Sequence, residues 1–230
     1  VAPANVGEQR QVLDIATHTE PVNYDVHRSL SSSLHRSGPG LVYSRLLRFS
    51  LDSESVNLGS ALECDLCTKW EQIDQTTYRF TLRESARWHN IEPLNGRFIT
   101  VEDVIHSYRR QQTQGWPNAG LLRNLYDIAK IDDSVLEIKT YMPDADFVLS
   151  LAAGHSKILP IEVSSLYEDV VSKGPIGTGP WVFLRDSPGD EYVLEANPFY
   201  YEVGLPKIPT RPFHCWRSWR WMVLVKPEPH

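Results

Sequence analysis

The switch of hydrophobic period between residues 77–83 and 100–112 constrains this chain more than any other feature. In TYRFTLR, the apolar Tyr78, Phe80 and Leu82 alternate with Thr77, Arg79, Thr81 and Arg83, which is the period-two pattern of a half-buried strand. In TVEDVIHSYRRQQ, Val101, Val104, Ile105 and Tyr108 recur at i, i+3, i+4 and i+7 and make one helical face. Thr100 stands at the N-cap with Asp103 three residues on, in the capping-box position. A strand followed this closely by a capped amphipathic helix demands a mixed α/β fold. His106, Arg109 and Arg110 fall away from the apolar stripe, so a solvated face is expected for them rather than an anion site. Trp88 and His89 end the strand segment, just before the turn residues Pro93 and Asn95-Gly96, and two readings stay open for them: a packed corner or a ligand platform.

The rest of the chain continues the mixed pattern. Residues 12–17, VLDIAT, read as a strand that leaves through a loop containing Pro21, and SGPG at 37–40 is a break. LVYSRLLRFS places Leu41, Val42, Arg45, Leu46 and Phe49 at roughly helical spacing, which predicts a short amphipathic helix. AKIDDSVLEIKTY alternates as a strand or hairpin, DADFVLSLAAG reads as a small helix, and strands are expected over 181–185 and 191–195 about a Ser187-Pro188-Gly189-Asp190 turn. The GTGP at 177–180 is followed by a proline and a strand, so it lacks the strand–loop–helix order that a phosphate cradle needs.

Composition removes several function classes. With 230 residues, 41% hydrophobic and 23% charged, the chain has globular material for one large domain or two small ones. A formal charge of −6 argues against nucleic acid as a partner, because neutralising phosphates takes a clustered cationic excess. No apolar run reaches the length that crosses a bilayer, and VAPANVGEQRQ lacks the features of a signal peptide, so a cytosolic chain or the mature form of an exported one is expected. Cys64 and Cys67 form a CxxC, which admits a redox pair or half a zinc site; with Cys215 distant and the eight histidines scattered, structural or incidental cysteines are the expectation, and no metal or other cofactor is implied. No nucleophile–base or metal-ligand motif occurs, and the acidic pairs Asp132-Asp133 and Asp144/Asp146 sit in turn or helix-start contexts, so an enzyme is not expected.

The order of the segments carries a resemblance. VLDIATHTEPVNYDVHRS, GLVYSRLLRFS, DLCTKWE, TYRFTLRESARWHN, PLNGRFITVEDVIHSYRR, GTGPWVF and VLEANPFYYEVGLPKI, collinear over about residues 12 to 208, resemble the N-terminal part of the family 5 extracellular solute-binding proteins, the dipeptide, oligopeptide and nickel-binding components of ABC importers. The resemblance implies that Trp88 and His89 are scaffold, and it weakens the redox reading of the CxxC. Ser85 stands where the family has glycine and Asn90-Ile91 where it has Asp-Gly, while Asn95-Gly96-Arg97 matches a longer form of that loop.

The implied fold is α/β with mixed sheets and helices, a periplasmic-binding-protein-like (class II, cluster C) first lobe with the second lobe absent. The expected division is residues 1–50 as the first part of lobe I, 51–160 as an inserted α/β subdomain, 161–205 as the return to lobe I, and 206–230 as an atypical tail. That tail holds Lys207, Arg211, Arg217, Arg220 and Lys226 against Glu228, net +4 where the preceding residues carry −10, and it is expected to lie outside the fold, as a shifted reading frame in a truncated gene would. The implied function is capture of a peptide or similar small solute for delivery to an ABC permease, from a periplasmic or extracellular location that includes anchoring through a removed N-terminal segment. Glu20 and Val22 match the family position that lines the solute cleft. The alternatives are a binding or remnant module without a cleft ligand, and a thiol or metal protein using Cys64 and Cys67.

Overall fold

A computed structural model describes residues 13, 15–17, 23–36, 38–50, 62–164, 174–187, 191–207 and 210–215. The strand read from period two is β5 (Thr77–Leu82), with Tyr78, Phe80 and Leu82 buried. It pairs with β4 (Cys67–Gln72) on one side and β7 (Val135–Thr140) on the other, and β6 (Leu125–Lys130) completes a four-stranded antiparallel sheet ordered β4-β5-β7-β6. The hairpin expected from AKIDDSVLEIKTY is β6–β7. On this sheet lie α2 (Val101–Gln111) and α3 (Phe147–Ala152), the small helix expected from DADFVLSLAAG. Thr100 Oγ1 accepts from the Asp103 amide while the Asp103 carboxylate accepts from the Thr100 amide, so the capping box forms as expected.

A second four-stranded sheet, ordered β1-β10-β9-β8, joins distant parts of the chain: β1 (Ile15–Thr17), β8 (Trp181–Ser187), β9 (Glu191–Ala196) and β10 (Thr210–Cys215). β8 and β9 form an antiparallel pair at the expected positions, and β10 runs antiparallel to β9 and parallel to β1. The expectation that residues 206–230 stand outside the fold therefore fails for 210–215, whose backbone extends this sheet; 216–230 lie outside the described residues.

The helix expected over 41–49 does not form. Gly38–Val42 is a 3-10 turn, Arg45 pairs with Lys157 in an isolated antiparallel bridge, and Leu47–Phe49 is β2, which pairs with β3 (Leu62–Cys64). Leu46 and Leu47 are both fully buried, and their burial in the main core decides the local conformation over helical spacing. α1 (Ser32–Arg36) precedes the turn.

Two hydrophobic clusters result. The larger fills the space between the β4-β5-β7-β6 sheet and α2 and α3, with Phe80, Trp88, Tyr108, Leu136 and Phe147 among its members. The smaller packs Val26, Leu34, Val42, Tyr43, Leu159, Trp181, Tyr192 and Leu194 beside the second sheet. Between them runs an extended segment, residues 156–160, held along α2 and followed by a 3-10 turn at Ile161–Ser164. Gln111 Nε2 donates to Ser156 Oγ at 3.2 Å, Ser107 Oγ donates to Lys157 O at 3.2 Å and accepts from the Leu159 amide at 3.0 Å, and the Ile161 amide donates to Asp103 Oδ1 at 3.1 Å.

Candidate functional site

Glu20 and Val22, the residues matched to the solute cleft, lie outside the described residues. The chain re-enters at Asn23, and the loop that follows is tied down. Arg110 donates to both carboxylate oxygens of Asp25, at 2.9 and 2.6 Å, and to His27 Nδ1 at 3.1 Å, while His27 Nε2 donates to Lys157 O at 2.9 Å. Asn118 Nδ2 adds bonds to the carbonyls of Val26, His27 and Ser29. These partners fix His27 as the neutral tautomer protonated on Nε2. Burial, then the neighbouring Arg110 charge, push its pKa down to about 4. Burial by itself would raise the Asp25 carboxyl, but the Arg110 hydrogen bonds and charge override it and hold the carboxyl below its usual range.

Arg110 is therefore not on a solvated face: its side chain is only 9% exposed. Arg109 does stay at the surface, paired with Asp127 at 2.7 Å. Nothing in the local sequence marks the difference, because the Arg110 partner lies 85 positions away.

Trp88 and His89 form a packed corner. Both are buried; Trp88 Nε1 donates to Asp103 Oδ2 at 3.2 Å and His89 Nε2 to Gly179 O at 3.1 Å, and the His89 amide donates to Gly177 O at 2.9 Å. Burial lowers the His89 pKa to about 4. The glycines of GTGP are there for close approach: a Cβ at Gly177 would sit 2.1 Å from Val42 O, and one at Gly179 would sit 2.4 Å from Leu41 O.

Cys64 and Cys67 are joined in a disulfide at the corner between β3 and β4, so their sulfurs are not thiolates available to a metal. The bridge brackets Asp65, whose carboxylate accepts from the Arg45 amide at 2.8 Å and from the Tyr201 hydroxyl. Among the described residues, no group of three or more His, Cys, Asp or Glu is placed to hold a metal ion, and no helix is long and apolar enough to cross a membrane.

Asp65 belongs to the wall of an open pocket of about 560 Å³ whose lining comes from residues 35–49, 153–157, Pro180 and Tyr200 besides Asp65 itself. Leu41, Tyr43, Phe49, Ala153, Pro180 and Tyr200 supply its apolar surface, and Arg45, Arg48, Lys157 and His35 supply cationic or titratable groups. Arg48 is matched by carboxylates, at 2.7 Å from Glu63 and 2.7 Å from Glu202. Lys157 is buried and donates to Gly40 O; Arg45 Nη1 donates to Ala152 O at 2.9 Å. Sequence reasoning missed this pocket, because Arg45 and Lys157 are brought together only by their bridge.

A family model described as "Bacterial extracellular solute-binding proteins, family 5 Middle" matches residues 61–211. Di/tripeptide-binding protein 2 of Pseudomonas aeruginosa (strain UCBPP-PA14) is 27% identical over 226 residues, covering 90% of this chain and 41% of that protein. The dipeptide-binding protein of Escherichia coli (strain K12) is 27% identical over 197 residues, covering 75% of this chain and 35% of that protein. Among solved structures, the ABC transporter-associated periplasmic binding protein DppA from Helicobacter pylori, in complex with the peptide STSA, matches with a TM-score of 0.75 at 21% identity, over 92% of this chain and 44% of that one. The chain spans less than half the length of each of these relatives. The matched part of that solved structure has the fold this chain builds, and with the family model matching most of its length, the chain belongs to the family 5 bacterial extracellular solute-binding proteins.

Proposed function

We propose that this chain is the first-lobe part of the substrate-binding component of an ABC importer, capturing peptides or a similar small solute for a membrane permease from the periplasmic or extracellular side. What carries the reading is the family match over 61–211, together with relatives named for di- and tripeptide binding. On this reading the smaller cluster and its sheet are lobe I, and residues 51–160 are a subdomain inserted into it. Capture needs no bond chemistry. A solute that touches two lobes favours the closed state by its differential contacts, and one that touches a single lobe does not. Glu20 and Val22 contribute first-lobe contacts, and the Arg110–Asp25–His27 clamp fixes the point where the chain leaves them. In this mode part of the affinity comes from the peptide backbone, held like an added strand.

The test is calorimetry with a di- and tripeptide library. The 230-residue chain by itself is expected to bind more weakly than about micromolar, because it supplies one side of the cleft. A longer product carrying this chain and a second lobe is expected to bind peptides, and Glu20→Ala with Val22→Ala to weaken that binding about tenfold or more. Micromolar binding by the 230-residue chain would refute the one-sided cleft, and absence of peptide binding by the two-lobed product would refute peptide as the solute.

A further inference from the structure

We infer that the pocket beside the Arg45–Lys157 bridge is a second binding site, for the carboxylate of a small amphipathic acid, built from residues other than Glu20 and Val22. The first observation is the placement of charge. Arg45 and Lys157 are direct partners in an antiparallel bridge, so their side chains leave the same face of the backbone. Like charges directly opposite one another are destabilising in such a pair, and here both residues line one pocket.

The second observation is what the two cations lack. An ammonium has three donors, and Lys157, 5% exposed, donates to Gly40 O with no second acceptor among the described residues. The Arg45 guanidinium donates to Ala152 O and has no carboxylate within ion-pair distance among the described residues. The near carboxylate, Asp65, is turned to the Arg45 amide and the Tyr201 hydroxyl. Arg48, on the same wall, is already matched by Glu63 and Glu202. With Arg48 matched elsewhere, the pocket wall sets Arg45 and Lys157 against the single carboxylate of Asp65, one cation in excess, and leaves donors of both unfilled.

The third observation is the rest of the wall. Leu41, Tyr43, Phe49 and Tyr200 present apolar and aromatic surface around about 560 Å³, room for a ring or short alkyl chain attached to the anionic group. A bare inorganic ion would leave that surface in water. Burial and then the Arg45 charge lower the Lys157 pKa to about 7, against a raising contribution from Asp65, so an anion seated between the two cations restores the ammonium form.

The experiment titrates the 230-residue chain calorimetrically with phenylacetate and with hydrocinnamate, and in parallel with phenylacetamide and with inorganic phosphate, at pH 7.5 in two buffers of different ionisation enthalpy. The expected result is saturable one-to-one binding of the aromatic acids, about tenfold or more tighter than the amide or phosphate, with uptake of up to about three-quarters of a proton per acid bound. Arg45→Ala and Phe49→Ala are each expected to weaken the acids, and Lys157→Met to abolish the proton uptake; circular dichroism reports whether each variant is folded. Should Lys157→Met not fold, Arg45→Ala and the buffer comparison decide the question. Equal affinity for acid and amide, tighter binding of phosphate than of the aromatic acids, or unchanged acid affinity in folded Arg45→Ala overturns the proposal. None of these outcomes depends on peptide binding, so failure here leaves the cleft reading to its own test.

Discussion

At the residue scale the molecule turns on Asp103. One fully buried carboxylate caps α2, accepts from Trp88 Nε1 and the Ile161 amide, and takes two bonds of 2.7 Å from Arg97, which also reaches Glu162. Burial would raise its pKa, but the Arg97 and backbone hydrogen bonds hold it below the usual carboxylate range. Arg97 keeps Glu162, but Trp88 Nε1 and the Thr100 and Ile161 amides lose their acceptor, so Asp103→Ala is expected to cost about 2–4 kcal/mol. Urea denaturation checks this: the midpoint falls with the slope unchanged, and a loss under about 1 kcal/mol would mean that the network repairs itself around the gap. The capping role of Asp103 was legible, because Thr100 and Asp103 are local partners. Its roles as acceptor for Trp88, Arg97 and Ile161 were not, since each comes from a part of the chain that the spacing along α2 cannot see. The same holds for Arg110 and Asp25. The spacing and residue types of Trp88 and His89 already favour a packed corner, and the order of the surrounding segments adds the scaffold reading.

At the element scale, α2 shows what a single hydrophobic stripe conceals. Val101, Val104 and Tyr108 are buried as the period predicts, but Asp103, Ser107 and Gln111 form a second buried row, polar and spaced at i, i+4, i+8, that receives residues 156–161. A polar row looks solvent-facing in sequence, and only the unpaired backbone of a neighbouring segment gives it partners. Strands β5, β8 and β9 were legible because period two and turn residues agree, whereas 41–49 was misread because apolar residues at mixed spacing fit either element. The β3–β4 corner adds a covalent element. Cys64 and Cys67 are three positions apart, and a loop this short confers about 2 kcal/mol in the chain-entropy account. Cys64→Ser with Cys67→Ala is therefore expected to lower stability by about 2 kcal/mol, reductant to lower the wild-type protein by a similar amount, and the double variant to be insensitive to reductant. If reductant leaves the wild-type denaturation curve in place, the bridge does not contribute.

At the scale of the whole molecule, the two halves of the structure are joined through neutral histidines, and this sets how stability responds to acid. His27 links α2 to Lys157 O, and His89 links the strand corner to the GTGP turn; burial holds both near a pKa of about 4. In the unfolded chain an imidazole takes its proton near pH 6.5, so between about pH 6.5 and 4 the unfolded state binds more protons than the folded state. The stability these groups contribute is complete above pH 6.5, falls as the pH drops through that window, and levels off below the folded pKa. Two such groups give a slope of up to about 2–3 kcal/mol per pH unit near pH 5. His106 and His155, also lowered by burial, act in the same direction. Asp25 and Asp103 are held below their usual range, so their contribution is lost only at lower pH, below about 4. The acid limb therefore begins with histidine, not carboxylate. Glutamine at position 89 keeps a donor for Gly179 O, and at position 27 a donor for Lys157 O, but neither titrates. The His27→Gln, His89→Gln protein is expected to be less stable at pH 7.5, yet to lose more than half of the wild-type slope between pH 6.5 and 5 when urea midpoints are followed across that range. An unchanged slope would place the proton uptake on other groups and remove the two histidines from the acid response.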